Sequence, residues 1–250
     1  MEALRIGGLT PLTTVDFPGK LAAVVFCQGC PWRCGYCHNP HLLPAKGLNP
    51  VTGSTTLSWA QVREFLERRR GLLDGVVFSG GEPTSQAAIV SAVREIKAMG
   101  LRAGLHTGGA YPARLAELLP HLDWVGFDVK ARADDYETIT DVPGSSAKTM
   151  ESLTLLLSSG VDYEVRTTVY PGLDEDGLCS LARTLAAQGV RRYAVQECRL
   201  PVRGLSACDA QAGTQTGPAG GVSPILHAPL SERARVVLGG LFRTFEVRAA

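Results

Sequence analysis

The sequence predicts an α/β fold, a partial (β/α)6 barrel of the TIM type with mainly parallel strands. Short apolar runs alternate with amphipathic helical patterns along most of the chain. The runs are too apolar to leave one face in water, which is typical of parallel strands covered by helices. We recognise about six such units, too few for a complete eight-unit barrel. An open, doubly wound sheet is the alternative arrangement.

The strands are predicted from runs rich in Val, Ala, Leu and Phe. The first run, Leu21-Ala22-Ala23-Val24-Val25-Phe26, contains no polar residue. The six predicted strands are 21–26, 75–78, 102–106, 124–129, 163–169 and 192–196.

Helices are predicted between these strands. Ser58 begins the first helix, and Gln61 three residues later completes a capping box. In the second helix Ile89, Val93 and Ile96 share one face, and Gly100 ends it. The further predicted helices are 112–119, 147–157, 174–188 and 231–242.

Composition and charge exclude several classes of protein. The 250 residues are 45% hydrophobic and 20% charged, as is typical of a globular protein. A net charge of +1 gives no basic excess for binding nucleic acid or a membrane surface. No apolar run approaches the roughly 20 residues that span a bilayer, and the first residues do not resemble a signal peptide. We therefore expect a cytoplasmic protein, with a flexible Gly-rich surface loop at about 204–228 before the C-terminal helix.

Four of the seven cysteines fall within eleven residues, directly after the first predicted strand. In a reducing compartment such a group is typical of a metal site rather than of disulfides. Cys30, Cys34 and Cys37 are spaced to bind three corners of a [4Fe–4S] cube, which normally takes four cysteines. Three cysteines would leave one iron open to a ligand that is not protein.

A structural zinc site is the alternative for this segment. Cys27 and Cys30 form one Cys-x-x-Cys pair, Cys34 and Cys37 form another, and His38 is a spare ligand. Zinc ribbons, however, separate their pairs by a longer connection than the one here. Cys27 also stands at the predicted strand end, where alternation can point it away from the loop.

Other short motifs follow the carboxyl ends of predicted strands, where βα folds build active sites. Ser79-Gly80-Gly81-Glu82-Pro83 follows the second strand, and its glycines let a ligand approach the backbone. Asp128 and Lys130 end the fourth strand on one face, either as a solvated ion pair or as site residues. Arg166, in the fifth strand, would need a partner if buried. Their convergence on one rim predicts a single pocket.

The spacing of Cys30, Cys34 and Cys37 is similar to the Cys-x3-Cys-x2-Cys signature of the radical S-adenosylmethionine (SAM) superfamily. The flanking sequence resembles that of the activating enzymes of glycyl-radical enzymes, and most of all that of anaerobic ribonucleoside-triphosphate reductase activating proteins. The segments that carry this resemblance are Thr14-Val15-Asp16-Phe17-Pro18-Gly19-Lys20, Gln28-Gly29-Cys30 and Cys37-His38-Asn39-Pro40. The similarity covers about residues 5–200, and we expect residues 1–250 to form a single radical SAM domain.

The resemblance implies an anaerobic activase. The three cysteines would hold a [4Fe–4S] cluster, and SAM would chelate its open iron. Reduction would cleave SAM to methionine and a 5′-deoxyadenosyl radical, which takes a hydrogen atom from a glycine of the partner. The implied partners are a glycyl-radical enzyme, namely anaerobic ribonucleotide reductase, and reduced flavodoxin or ferredoxin as electron donor.

The resemblance also implies the residues that bind SAM. Gly81, in the Gly-Gly-Glu motif, matches a position that binds the methionyl amino group, and Arg166 matches an arginine near the SAM carboxylate. Trp32, inside the cysteine loop, would shield the cluster from water. The implied SAM-binding residues are Tyr36, Cys37, His38, Gly81, Glu82, Asp128, Lys130, Arg166 and Gln196.

The chain departs from the family pattern after the third predicted strand. Relatives usually read Asp-Thr-Asn-Gly there, and in some the Asp and Thr hold a monovalent cation. This chain has His106-Thr107-Gly108-Gly109. A neutral imidazole does not replace an anionic oxygen ligand of a hard cation, so His106 is expected to be a hydrogen-bonding or core residue.

Two other functions stay open from the sequence. A radical SAM enzyme acting on a small molecule, such as a 7-carboxy-7-deazaguanine synthase, would have a closed pocket rather than an open lateral face. A non-catalytic zinc-binding module would explain the cysteines, but it would leave the Gly-Gly-Glu and Asp-x-Lys motifs unexplained.

Overall fold

The computed structural model describes residues 3–45, 57–170, 172–198 and 230–248. The loop predicted at about 204–228 lies outside these ranges. The strands are β1 Ile6–Thr13, β2 Ala22–Cys27, β3 Gly75–Gly80, β4 Arg102–Thr107, β5 Trp124–Asp128, β6 Asp162–Val169, β7 Arg192–Glu197 and β8 Thr244–Arg248. The α-helices are α1 Trp59–Glu67, α2 Ile89–Ala98, α3 Pro112–Leu118, α4 Tyr136–Thr140, α5 Ser145–Ser159, α6 Glu175–Ala187 and α7 Glu232–Leu241.

The strands form one sheet whose order follows the chain from β1 to β8. β1 is antiparallel to β2, and every later neighbouring pair is parallel. The order never reverses, whereas a doubly wound sheet reverses at its switch point. The α/β class with mainly parallel strands is therefore confirmed, and the doubly wound alternative is wrong.

All six predicted strands are present, as β2 to β7. The capping box of α1 is confirmed, because the Ser58 side chain accepts a hydrogen bond from the Gln61 backbone and the Gln61 side chain accepts one from the Ser58 backbone. β1, β8 and α4 were not predicted. Both unpredicted strands lie at the ends of the sheet order and are only partly buried, so they lack the continuous apolar runs of β2 to β7.

The two faces of the sheet have different surroundings. Val125 and Phe127 point outward into the main core beneath the helices. Trp124, on the other face of β5, packs in a smaller inner cluster with Phe17 from the turn after β1, their ring centroids 5.8 Å apart. By the same alternation, Asp128 lies on the inner face. The inner face therefore changes from apolar at the amino ends of the strands to charged at their carboxyl ends.

A cavity of about 310 Å³ opens at the amino ends of the strands, beside Phe17, Trp124 and Arg192. It lies at the end of the sheet opposite to the predicted site. Within the described ranges, none of the helices has the length and the apolar surface that crossing a membrane requires.

Candidate active site

The cysteine loop leaves β2 through Gly29, whose φ of +99° favours glycine. The loop folds back on itself, because the Gly29 N–H donates to the Leu42 carbonyl (2.7 Å) and the Cys30 N–H donates to the Leu43 carbonyl (3.1 Å). Cys30, Cys34 and Cys37 are free, partly buried thiols on this loop. Cys27 differs from them in being fully buried within the main core.

The residues of the loop fit a [4Fe–4S] cluster. Within the described ranges, no group of three or more His, Cys, Asp or Glu side chains is placed to hold a single metal ion. Cysteines around a cubane bind separate iron atoms, so they do not have to converge on one point. The pairing of Cys27 with Cys30 that a zinc site would need has no support from the position of Cys27.

Burial disfavours the charged form of these thiols. It raises the pKa of Cys30 to about 12, with a further contribution from the Glu82 carboxylate. Burial also raises the pKa of Cys34, although the nearby Lys130 ammonium opposes this shift. Because iron binds the thiolate, cluster binding at this loop would release protons and would depend on pH.

The Gly-Gly-Glu turn after β3 packs against the cysteine loop, backbone to backbone. The Gly81 N–H donates to the Cys27 carbonyl, and the Glu82 N–H donates to the Gly29 carbonyl, both at 2.9 Å. A Cβ at Gly81 would lie 2.8 Å from the Gly29 carbonyl carbon. Only glycine at position 81 permits this approach, so the turn fixes the start of the cysteine loop at the rim.

The carboxylate of Glu82 is buried and fully engaged within the protein. Oε1 accepts hydrogen bonds from the Thr84 N–H (3.1 Å), the Thr84 hydroxyl (2.6 Å) and the Thr107 hydroxyl (2.7 Å). Oε2 accepts from the Gly108 N–H at 2.9 Å. Burial raises the pKa of this carboxyl, and the hydrogen bonds oppose that shift. Glu82 therefore ties the turn after β3 to the turn after β4.

Three charged side chains meet at the end of β5, where Asp128 pairs with Arg166 of β6. The Arg166 Nε donates to Asp128 Oδ1 at 2.9 Å, and the Lys130 ammonium lies 3.7 Å from Asp128 Oδ2. Burial alone would raise the pKa of Asp128, but the two cations outweigh it and hold that pKa below its usual value. Arg166 is buried and paired, which meets the expectation that a buried arginine in this strand needs a partner.

Two tyrosines fix the backbone of Lys130. The Tyr36 hydroxyl donates to the Lys130 carbonyl, and the Lys130 N–H donates to the Tyr136 hydroxyl, both at 3.3 Å. Tyr36 also stacks on Tyr170, with ring centroids 5.0 Å apart and planes 2° from parallel. The cysteine loop and the end of β5 are thereby held together.

His106 is a hydrogen-bonded residue of the inner face, as expected. Its Nε2 lies 3.0 Å from the Asp16 carbonyl, which only accepts, and 3.5 Å from the Arg166 guanidinium, which only donates. The shorter contact assigns the proton to Nε2, and the Ser79 hydroxyl lies 3.5 Å from Nδ1. Burial, reinforced by the neighbouring Arg166 guanidinium, lowers the pKa of His106 to about 3. The imidazole is therefore neutral at physiological pH, and it joins the turn after β1 to β4.

The structure thus brings most of the predicted residues to one rim. Gln196 lies in β7, on the face opposite the buried Tyr193 and Val195, and His38 is exposed just after the last cysteine of the loop. Sequence reasoning did not identify Tyr136, which contacts Lys130 from α4. An isolated tyrosine in a short, unpredicted helix carries no signal that would have singled it out.

The comparisons with known proteins agree with this geometry. Residues 24–185 match the Radical SAM superfamily. The chain is 32% identical to a protein of Methanocaldococcus jannaschii named as a glycyl-radical enzyme activating enzyme, over 79% of this chain and 80% of the relative. It is 33% identical to pyruvate formate-lyase 1-activating enzyme of Escherichia coli K12, over 69% of this chain and 70% of the relative.

A likeness of fold extends to solved structures. Streptococcus suis SuiB bound to S-adenosylmethionine matches with a TM-score of 0.54 and 12% identity. The match covers 70% of this chain but only 39% of SuiB.

Fold, site and relatives together define the class of protein. The chain belongs to the radical SAM superfamily and, within it, to the activating enzymes of glycyl-radical enzymes. Its cofactors are accordingly a [4Fe–4S] cluster and SAM. This membership does not support the alternative of a non-catalytic zinc-binding module.

Replacing Glu82 tests its role as a link between two turns. Glu82→Gln keeps the size of the side chain but puts an N–H₂ group where N–H and O–H donors now point. We expect the free energy of unfolding of the cofactor-free protein to fall by about 1–3 kcal/mol. Urea denaturation measures this, with the exposed Glu117→Gln as the matched control. Equal stability of the two variants would contradict the role.

The lowered pKa of His106 predicts acid sensitivity. The folded protein favours neutral His106, whereas the unfolded chain takes up a proton below pH 6.5. The stabilisation is therefore complete above pH 6.5 and is lost as the pH falls towards 3. Between pH 7 and pH 5 the wild type should lose about 2 kcal/mol more stability than His106→Gln, which keeps an N–H for the Asp16 carbonyl.

Urea denaturation at the two pH values checks this prediction, with His121→Gln as the control. If His106→Gln loses as much stability as the wild type, the imidazole is not the group that titrates.

Proposed function

We propose that this enzyme generates a glycyl radical on anaerobic ribonucleotide reductase. The observation that carries the proposal is the meeting of the cysteine loop, the Gly-Gly-Glu turn and the Asp128–Arg166 pair at one rim of the sheet. Hydrogen bonds between backbone groups join the first two, and the Tyr36–Lys130 contact joins the loop to the third. The resemblance of residues 14–20 and 28–40 to activators of this reductase supports the choice of partner.

The residues at the rim suit the two cofactors. Cys30, Cys34 and Cys37 would hold the cluster, and the remaining iron would be free for SAM. When bound, the reduced cluster supplies an electron that cleaves SAM to methionine and a 5′-deoxyadenosyl radical, which takes a hydrogen atom from the partner glycine.

The charges at the rim match a zwitterionic ligand. Arg166 and Lys130 are cations that a SAM carboxylate would approach. Asp128 is an anion, and the lone pairs of its carboxylate could accept hydrogen bonds from an amino group or a hydroxyl of SAM. The Gly81 N–H already donates to the Cys27 carbonyl, so the Gly81 carbonyl is the group that would accept a hydrogen bond from the methionyl amino group. The Glu82 carboxylate already accepts four hydrogen bonds within the protein, so we assign its contribution to positioning Gly81.

Burial around the site protects a reactive species from water. Trp32 and Tyr36, on the cysteine loop, are both buried.

In the described part of the chain β1 and β8 end the sheet without pairing to each other, so the barrel has an open side. We assign this side to the entry of the partner's glycine loop. We further propose that the enzyme works in the cytoplasm, with reduced flavodoxin or ferredoxin as its electron donor.

A second candidate partner is a pyruvate formate-lyase. Relatives from Clostridium pasteurianum and Escherichia coli that carry the name of its activating enzyme are 31% and 33% identical to this chain. The two candidate partners can be distinguished directly, because the glycyl radical would form on the polypeptide of the true partner.

The first experiment is anaerobic reconstitution with iron and sulfide, followed by reduction with dithionite in the presence of SAM. Formation of 5′-deoxyadenosine supports the radical SAM chemistry, and zinc binding with intact SAM would refute it. Electron paramagnetic resonance after adding either candidate partner then detects a glycyl radical. A radical on pyruvate formate-lyase but not on the reductase would overturn the choice of partner.

Loss of one cluster cysteine should abolish both cluster and reaction. For Cys34→Ala we expect iron content and 5′-deoxyadenosine formation to disappear together, because three thiolates are the minimum anchor. Cys27→Ala is the matched control, and it should retain iron because Cys27 lies in the core. Loss of metal in both variants would instead favour a ligand set that includes Cys27.

Asp128→Asn should separate cluster binding from SAM binding. The amide still accepts a hydrogen bond from Arg166, so the rim should persist, but the negative charge is gone. We expect iron content to remain at the wild-type level and the KM for SAM to rise about tenfold or more, the value of a charge-assisted hydrogen bond. The exposed Asp176→Asn is the control. An unchanged KM would show that Asp128 does not face SAM.

A further inference from the structure

Trp32 packs its ring directly on the backbone of Gly108, in the turn after β4. A Cβ at position 108 would overlap the outer ring of the indole, lying 2.7 Å from Cη2 and closer still to Cζ3. The φ of Gly108 is outside the left-handed region, so the backbone itself would tolerate any residue. The glycine is therefore required by the indole alone.

The turn that carries Gly108 cannot yield to a larger residue. Its N–H donates to the buried Glu82 carboxylate (2.9 Å), and its carbonyl accepts from the Thr149 hydroxyl (3.1 Å). The next carbonyl, of Gly109, accepts from the Ser152 hydroxyl at 2.8 Å. A side chain at position 108 would therefore displace Trp32 rather than the turn.

Displacement of Trp32 would move the cysteine loop and disturb Lys130. Trp32 stands between Cys30 and Cys34, and its carbonyl accepts a hydrogen bond from the Arg33 guanidinium, which also donates to the Cys30 carbonyl. The ring contacts Tyr136 edge-on, with centroids 6.1 Å apart, and the Lys130 ammonium lies 5.8 Å from the ring centroid. The indole thus links the cysteine loop to the residues around Lys130 at the end of β5.

We propose that Trp32 is a positioning residue: seated on the bare backbone of Gly108, it sets the place of the cysteine loop and of the Lys130 ammonium. This rests on the proposed function only in that the loop is taken to hold the cluster. The contact itself belongs to the protein without cofactors and can be tested there.

The test is a double-mutant cycle of wild type, Gly108→Ala, Trp32→Leu and the double variant. Gly108→Ala should lower the Tm of the cofactor-free protein by several degrees (about 2–10 °C), the cost of overpacking. In the Trp32→Leu background the same substitution should lower neither the Tm nor the iron content. Gly240→Ala is the control for an added methyl group, because nothing lies within 4 Å of its new Cβ. Gly240 lies in α7, where alanine favours the helix, so this variant should keep or slightly raise the wild-type Tm.

A second measurement separates positioning from folding. After reconstitution, Gly108→Ala should bind less iron per chain than Gly240→Ala. In Trp32→Leu the cluster that does assemble should have a more positive midpoint potential, because water admitted beside it stabilises the added negative charge. If Trp32→Leu does not fold, Trp32→Phe replaces it in the cycle, since its shorter ring withdraws from position 108.

Two results would overturn the proposal. One is a Gly108→Ala protein with the Tm and iron content of Gly240→Ala. The other is a Gly108→Ala effect of equal size in both Trp32 backgrounds. Failure of the proposed function would give a different result. The wild-type protein would then bind no cluster, while the Tm values of the double-mutant cycle would still show coupling between Trp32 and Gly108.

Discussion

The site depends on the contact between two glycine-containing backbones, at Gly29 and Gly81. The cysteine loop and the turn after β3 approach so closely that the Glu82 N–H reaches the Gly29 carbonyl at 2.9 Å. A side chain at position 81 would force them apart. Because the turn directly follows β3 of the parallel sheet, this contact ties a long loop that has little regular structure of its own to the end of that strand. The positions of the cysteines follow from it.

The inner face of the sheet imposes a second constraint, since charges buried there must be paired. Arg166 pairs with Asp128 on the neighbouring strand. The nearby His106 is neutral because burial disfavours its charged form and because a charged imidazole would lie beside the Arg166 guanidinium. Asp128 in turn faces both Arg166 and Lys130. The group carries an excess of one positive charge, which suits the carboxylate of an amino-acid ligand better than a further cation.

The sequence alone predicts the strands that are buried on both faces, and it predicts the rim of the sheet at which the motifs meet. β1 was missed because Ile6-Gly7-Gly8-Leu9-Thr10-Pro11-Leu12-Thr13 contains two glycines and a proline, which edge strands tolerate and interior strands do not. The direction of the Glu82 side chain was also beyond prediction. The motif locates its backbone at the rim, but whether its carboxylate faces a ligand or the Thr107–Gly108 turn depends on packing between distant segments.

The departures from the family pattern at the end of β4 acquire a physical reason only in three dimensions. Where relatives usually have Asp, His106 bonds the Asp16 carbonyl and needs no cation to balance it. Where they usually have Asn, Gly108 makes room for the indole of Trp32. Each change is complemented by a residue far away in the sequence, so neither can be interpreted alone. The turn after β4 is thus packed from within the protein by the indole of Trp32, while the imidazole of His106 is held on the inner face of β4 by Asp16 and Ser79.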